Sequence, residues 1–343
     1  MAQNSTSHLI GGKPIKGYHA KFNNDDIIIP WYNIKVHNNT IFVGINGHNM
    51  QKVDLSTGDH IYDSTKHLGL LNISMCKSTN SIFTVSKSMF SGHSHTVVSV
   101  IDASTGKTDI VNIPEEYCIH ELFDTVLQNT IVFTSFLKKV SDGISMGGHN
   151  NICMYNYVTH DMKVTPIDSY RLELNTVSPT SDIVVGTVNH TVYNNESSNY
   201  YPFQRWNVIT GEKIGDPITV HTDFITNFSF SQNGAILLSA DNDCNVYRFD
   251  AYSGVQIGNP IKHNNDIDND NDVSKITQIK ISNDGNTLMI AQGNKIYRWN
   301  TTTYKLISPT YYHKKCVCTM DITDDDSTIV SVCDDGKIYR WTN

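Results

Sequence analysis

An apolar residue followed by Asp, Asn or Thr recurs seven times along the chain, and its spacing restricts the fold more than any other feature. The pairs are Val53-Asp54, Ile101-Asp102, Tyr155-Asn156, Trp206-Asn207, Phe249-Asp250, Trp299-Asn300 and Trp341-Thr342. Successive second members lie 48, 54, 51, 43, 50 and 42 residues apart. Periods of this length mark a four-stranded propeller blade. Turn signals recur in phase: "LSTG", "ASTG", "VITG" and "AYSG" follow the pair and end at Gly58, Gly106, Gly211 and Gly254. A second set precedes it, as "VSPTSD", "FSQNG", "ISNDG" and "ITDDD", each leading into an apolar run. Each unit therefore reads as four strands joined by turns. No segment sustains a 3.6-residue apolar period, so helices are expected to be nearly absent.

Prolines identify the outermost strand of each unit. Six of the nine, Pro14, Pro114, Pro166, Pro217, Pro260 and Pro309, fall in the segment after the turn that follows the pair. A proline cannot donate to a central ladder and blunts an exposed edge, which assigns this segment to the rim. The final copy, "DGKIYRWTN", stops at a third strand, whereas residues 9–19, "LIGGKPIKGYH", repeat the rim pattern of "KIGDPITVH" with no blade before them. The expected fold is all-β: a seven-bladed β-propeller of four-stranded antiparallel blades, closed by the N-terminal strand completing the last blade. The blades are placed at about 22–66, 67–117, 118–170, 171–221, 222–263, 264–313 and 314–343 plus 8–19, in a single domain spanning 1–343.

Composition narrows the partners. The formal net charge is -8, and no concentrated basic patch accompanies the pairs Lys138-Lys139 and Lys314-Lys315, which argues against a phosphate-tracking surface and so against nucleic acid. The first residues, "MAQNSTSHLIGG", show neither a basic nor an apolar leader region, and no apolar run reaches membrane-spanning length. Seven cysteines without framework spacing suit a reducing compartment, so a cytoplasmic location away from membranes is expected. The bias toward Asn, Ile and Asp is similar to that of chains from AT-rich genomes, including protists and giant DNA viruses.

From about residue 200 onward the chain resembles the WD-repeat propeller family. In "HTDFITNFSFSQNGAILLSADNDCNVYRFDAYSG", His221, Ser239, Asp243 and Phe249 stand at the places of the family's His, Ser/Thr, Asp and Trp. His313, Ser331, Asp335 and Trp341 match in the last blade. The resemblance implies a hydrogen-bonded chain across each blade, with a buried Asp accepting from an imidazole to anchor the loop between rim and inner strand. Blade six keeps Trp299 but has Gly293 at the Asp place, blade four keeps Trp206 but has Tyr200 there, and blades one to three lack the Trp.

Motifs with possible chemistry fit simpler roles. "GISMG" at 143–147 matches a nucleophile-elbow pattern but precedes another strand, where the elbow requires a helix. "NNDIDNDND" at 264–272 alternates Asp266, Asp268, Asp270 and Asp272, yet counting from Asp266 gives Asn271 and Thr277 where a calcium loop needs Gly and Glu. "HKKCVC" offers His313, Cys316 and Cys318 without a fourth zinc ligand, and His93 with His95 reads as a solvated loop pair. No catalytic residue, cofactor or metal site is assigned. The expected role is a non-enzymatic scaffold that binds protein partners through loops on a propeller face. The alternatives are a structural or virion-assembly component and a lactonase-like hydrolase. The hydrolase would need a metal and carboxylates converging on the channel, and no repeated acidic set appears on the inner strands.

Overall fold

Short strands rich in Val, Ile, Phe and Tyr, separated by turn residues, cannot bury both faces within one sheet. In the computed structural model of the chain they form seven small antiparallel sheets arranged around an axis as a β-propeller. The structure describes residues 10–11, 13–14, 32–45, 50–63, 70–90, 93–113, 117–125, 127–137, 150–167, 172–180, 182–188, 201–263 and 275–342. Blade one runs outward from the axis through Tyr32–His37, Thr40–Ile45, Gln51–Asp54 and His60–Asp63. The innermost strands of the others are Leu70–Cys76, Tyr117–Phe123, Leu172–Val177, Ile225–Phe230, Ile276–Ile281 and Val317–Ile322. Among the described residues the one helical segment is a single 3-10 turn, Lys77–Thr79.

The core lies between blades. Seven separate apolar clusters each join the facing surfaces of two neighbours. At the seam, Ile34, Val36, Ile41 and Val53 of blade one pack against Val330, Val332 and Ile338 of blade seven. The other six fill the remaining junctions around the ring. Polar staples reinforce several of them. In three blades the residue before the apolar member of the repeated pair is a cation that reaches forward: Lys52 Nζ donates to Ala103 O at 2.5 Å, Arg205 to Ala251 O and Tyr252 O at 2.9 and 2.8 Å, and Arg340 to Leu55 O at 2.7 Å. Arg340 thereby ties blade seven to blade one.

Polar residues of the repeated pair have a local task. Asp54, Asp102, Asn156, Asn207 and Asn300 each accept the backbone N–H groups two and three residues on, and Asp250 accepts that of Ser253. This cap holds the turn between third and fourth strands. Its fifth residue is left-handed, at φ 77° for Gly58 and 75° for Gly211, and His160 and Tyr304 take the same conformation at φ 62° and 57°.

The rim departs from four uniform strands. Lys13–Pro14 pairs antiparallel with Ile338–Thr342 and completes blade seven, as the sequence led us to expect. Ile10–Gly11, just ahead of it, adds in parallel to Leu306–Tyr312, so blade six has five strands and the N-terminal segment spans two blades. Blade four has three. Its outer segment meets Phe203–Asn207 only at Phe203↔Ile218 and Trp206↔Lys213, because Gly215 at φ 64° and Pro217, which lacks an N–H, interrupt the ladder between them.

Removing residues 1–19 leaves Ile338–Thr342 as an unprotected edge and detaches the blade-six addition. The truncated chain should lose on the order of 2–4 kcal/mol of stability by chemical denaturation. An unchanged midpoint would mean that the N-terminal pairing contributes nothing to closure.

Candidate interaction surfaces and the axial channel

Each innermost strand is the inner edge of its sheet, so half of its backbone groups face the axis with no ladder partner. Three of these N–H groups are met by side chains of the adjacent blade. Val36 N donates to Asp321 Oδ2 at 2.9 Å, Met75 N to Asp124 Oδ1 at 2.9 Å, and Met320 N to Gln278 Oε1 at 2.6 Å. The first bond crosses the seam. The same carboxylates pair with lysines around the channel: Lys35 Nζ lies 2.6 Å from Asp124, and Lys280 Nζ 3.3 Å from Asp321.

These four charges line a cavity of about 330 Å3 to which all seven inner strands contribute. The side chain of Asp124 keeps 42% of its surface open. Burial raises its pKa, yet the Lys35 and Lys280 charges and the Met75 N–H outweigh that and hold it below the ordinary carboxylate value. Asp321, with a smaller contribution from Asp124, raises the Lys280 ammonium against the effect of burial. Above the charges, Asn33 donates to Asn72 Oδ1 at 2.9 Å. The channel is thus lined by charges and amides that satisfy one another. Lys35, Lys280 and Asp321 occupy equivalent ladder positions, opposite Phe42, Met289 and Val330. Sequence reasoning missed them, since they lie in separate blades and come together only around the axis.

The blade networks are partly rearranged. His221 is fully buried between Ser239 Oγ, 2.6 Å from Nε2, and the carboxylate of Asp241, 2.9 Å from Nδ1. The sequence reading placed Asp243 there. Asp243 is exposed in the turn, and the ladder sets Asp241, two residues past Ser239 on the second strand, against the imidazole. Asp241 also accepts from Asn245 N at 2.8 Å. Phe249 has no polar group to extend the chain and packs edge-on against Phe203.

Blade six repeats this register. Gln292, two residues past Ile290, accepts at Oε1 from His263 Nε2 at 2.9 Å, so the acceptor place expected at Gly293 is filled one residue earlier. In blade seven, Ser331 Oγ is 2.7 Å from His313 Nε2 and accepts from Trp341 Nε1 at 2.9 Å. Asp335 accepts from the backbone and ammonium of Lys337 at 3.2 and 2.8 Å, and its charge also acts on His313. Trp206 and Trp299 have no such oxygen opposite, because Gly186 and Ile290 hold the serine position, and their Nε1 groups are buried without a partner. Tyr200 lies outside the described residues.

Among the described residues, no three His, Cys, Asp or Glu side chains gather in a way that would hold a metal ion. Cys316 is exposed, and burial pushes the Cys318 thiol up to about 11, so at neutral pH it stays protonated. The "GISMG" segment and the 264–272 acidic run lie outside the described residues. His93 and His95 begin the strand His93–Asp102, with side chains outside the described set.

The family model for the WD domain, G-beta repeat, matches residues 213–250 and 305–342. Each match covers the rim segment of one blade and the three inner strands of the next, the phase that makes a ring of such repeats finish on a borrowed rim strand. The protein is a seven-bladed β-propeller that carries two WD-type repeats. A search of curated proteins finds no match to the chain. In this propeller the matched copies are the two whose His–Ser pair is built, and blades one to three hold the ring with apolar packing, Asx-capped turns and channel ion pairs instead.

Asp241→Ala should cost about 2–3 kcal/mol by leaving His221 and Asn245 N unsatisfied, whereas Asp243→Ala should change stability by less than about 0.5 kcal/mol. Equal effects in urea denaturation would contradict this assignment. A pH effect follows from His313. Burial, the largest influence, pushes its imidazole down from 6.5 to about 4, while the Asn294 carbonyl and the Asp335 charge pull it partway back. Between these values the unfolded chain binds a proton that the folded one refuses. The stability present above pH 6.5 is therefore lost as pH falls toward 4, by up to about 3 kcal/mol. His313→Gln should flatten that part of the stability–pH curve.

Proposed function

We propose that this WD-repeat propeller is a non-enzymatic scaffold that binds protein partners on its exposed faces. The observation that carries the reading is the self-satisfied axis. Asp124 and Asp321, two carboxylates of the channel, are each engaged by a lysine and by a neighbouring blade's N–H, which leaves them to hold the ring. A lactonase-like site needs carboxylates free to converge on a metal and a substrate. WD-repeat propellers typically serve as interaction scaffolds, and a rigid ring lets surface turns vary without disturbing the core. The net charge of -8 favours partners that are basic or neutral where they touch the disc.

Cross-linking and mass spectrometry on the tagged full-length chain, expressed in its native cell, test this. The expected result is reproducible protein partners cross-linked to exposed turn or loop residues. Turnover of esters or lactones by the purified chain, lost on substitution of Asp124 or Asp321 by Asn, would contradict it.

A further inference from the structure

The cap that closes the turn between third and fourth strands takes only the backbone N–H of its third residue in blades three and four, and leaves the side chains of Val158 and Ile209 exposed. In blades one, two and six that residue is Ser56, Ser104 and Thr302. In the three consecutive blades three, four and five it is Val158, Ile209 and Tyr252, exposed by 59%, 47% and 50%. Val255, in the same turn as Tyr252, is 64% exposed. Four of the seven large exposed hydrophobic residues among those described therefore sit in three adjacent turns at the edge of one face. Since capping geometry is the same with Ser or Thr, the fold does not require apolar residues there, and lone surface hydrophobics would not repeat at one turn position.

The arc is also held rigidly. Gly211 approaches the rim of blade three so closely that a Cβ would stand 2.7 Å from Pro166 O. Arg205 of blade four donates to Ala251 O and Tyr252 O, and the Tyr252 hydroxyl donates back to Asp182 Oδ2 of blade four at 2.6 Å. A pre-ordered surface loses little conformational entropy on binding. Its charge is biased: Asp161, Asp182, Glu212 and Asp216 stand among these turns against Lys163 and Lys213, in a chain of net charge -8.

We infer that the turns of blades three to five form a docking arc for a partner protein's segment that combines apolar side chains with lysine or arginine. This deepens the scaffold reading and rests on it. The apolar side chains of such a segment would cover Val158, Ile209 and Tyr252, with its cations opposite the flanking carboxylates.

The test uses the full chain and a triple variant, Val158→Ser, Ile209→Ser and Val255→Thr, which installs the residue types other turns carry and keeps the Tyr252–Asp182 bond. A fluorescein-labelled peptide of alternating leucine and lysine pairs, and its leucine–glutamate counterpart, are titrated by anisotropy. The arc predicts that the basic peptide binds the parent and binds the variant about tenfold or more weakly, while the acidic peptide does not bind. No binding of the basic peptide by the parent, equal binding by the variant, or equal binding of the acidic peptide overturns the proposal. Self-association of the parent that the variant abolishes would assign the arc to a second copy and overturn it as well. If the variant keeps every partner cross-linked in the cell, the arc fails while the scaffold reading stands.

Discussion

No blade of this protein can bury itself. A single sheet has two faces and two edges, and here both faces are apolar and the inner edge carries backbone groups without ladder partners. The faces are covered only by the next blade, in seven clusters, and inner-edge N–H groups are met by Asp321, Asp124 and Gln278 of adjacent blades. A ring that stopped one interface short would expose two apolar faces at once. Closure is therefore the condition on which the other contacts depend, and three devices converge on the seam: the cluster around Ile34 and Val330, the reach of Arg340 to Leu55, and the bond from Val36 to Asp321.

Closure also shapes what the molecule offers to others. The axial carboxylates are occupied in holding blades together, and the histidines of blades five and seven are occupied by serines. Chemistry-bearing groups are thus turned inward. What faces outward is turn sequence, which the caps at Asp54, Asn207 and their equivalents hold in one shape whatever residue lies third in the turn. Serine in one blade and isoleucine in another sit on the same capped turn, so recognition is free to occupy the difference.

Much of this was legible in the chain. The apolar–polar pair carried the period because its second member caps a turn, and the rim prolines marked strands that cannot be central. Register was not legible. Counting back from Phe249 leads to Asp243, whereas the ladder counts forward from Ser239 and delivers Asp241. The same register puts Gln292 where Gly293 was expected. Blade four reads as four strands by its turns, but Gly215 and Pro217 leave its rim touching at two isolated points. The channel pairs stayed hidden because Lys35 and Asp124 are far apart in the chain and meet only across the axis.

Native-state hydrogen exchange at Val36, Met75 and Met320 measures closure most directly. Their N–H groups make the same kind of bond to a neighbouring blade, and only that of Val36 crosses the seam. A closed ring predicts that all three exchange with similar opening free energies, in a common cooperative event. Rapid exchange at Val36 with full protection at Met75 and Met320 would show a ring that opens at its seam, and would contradict the account.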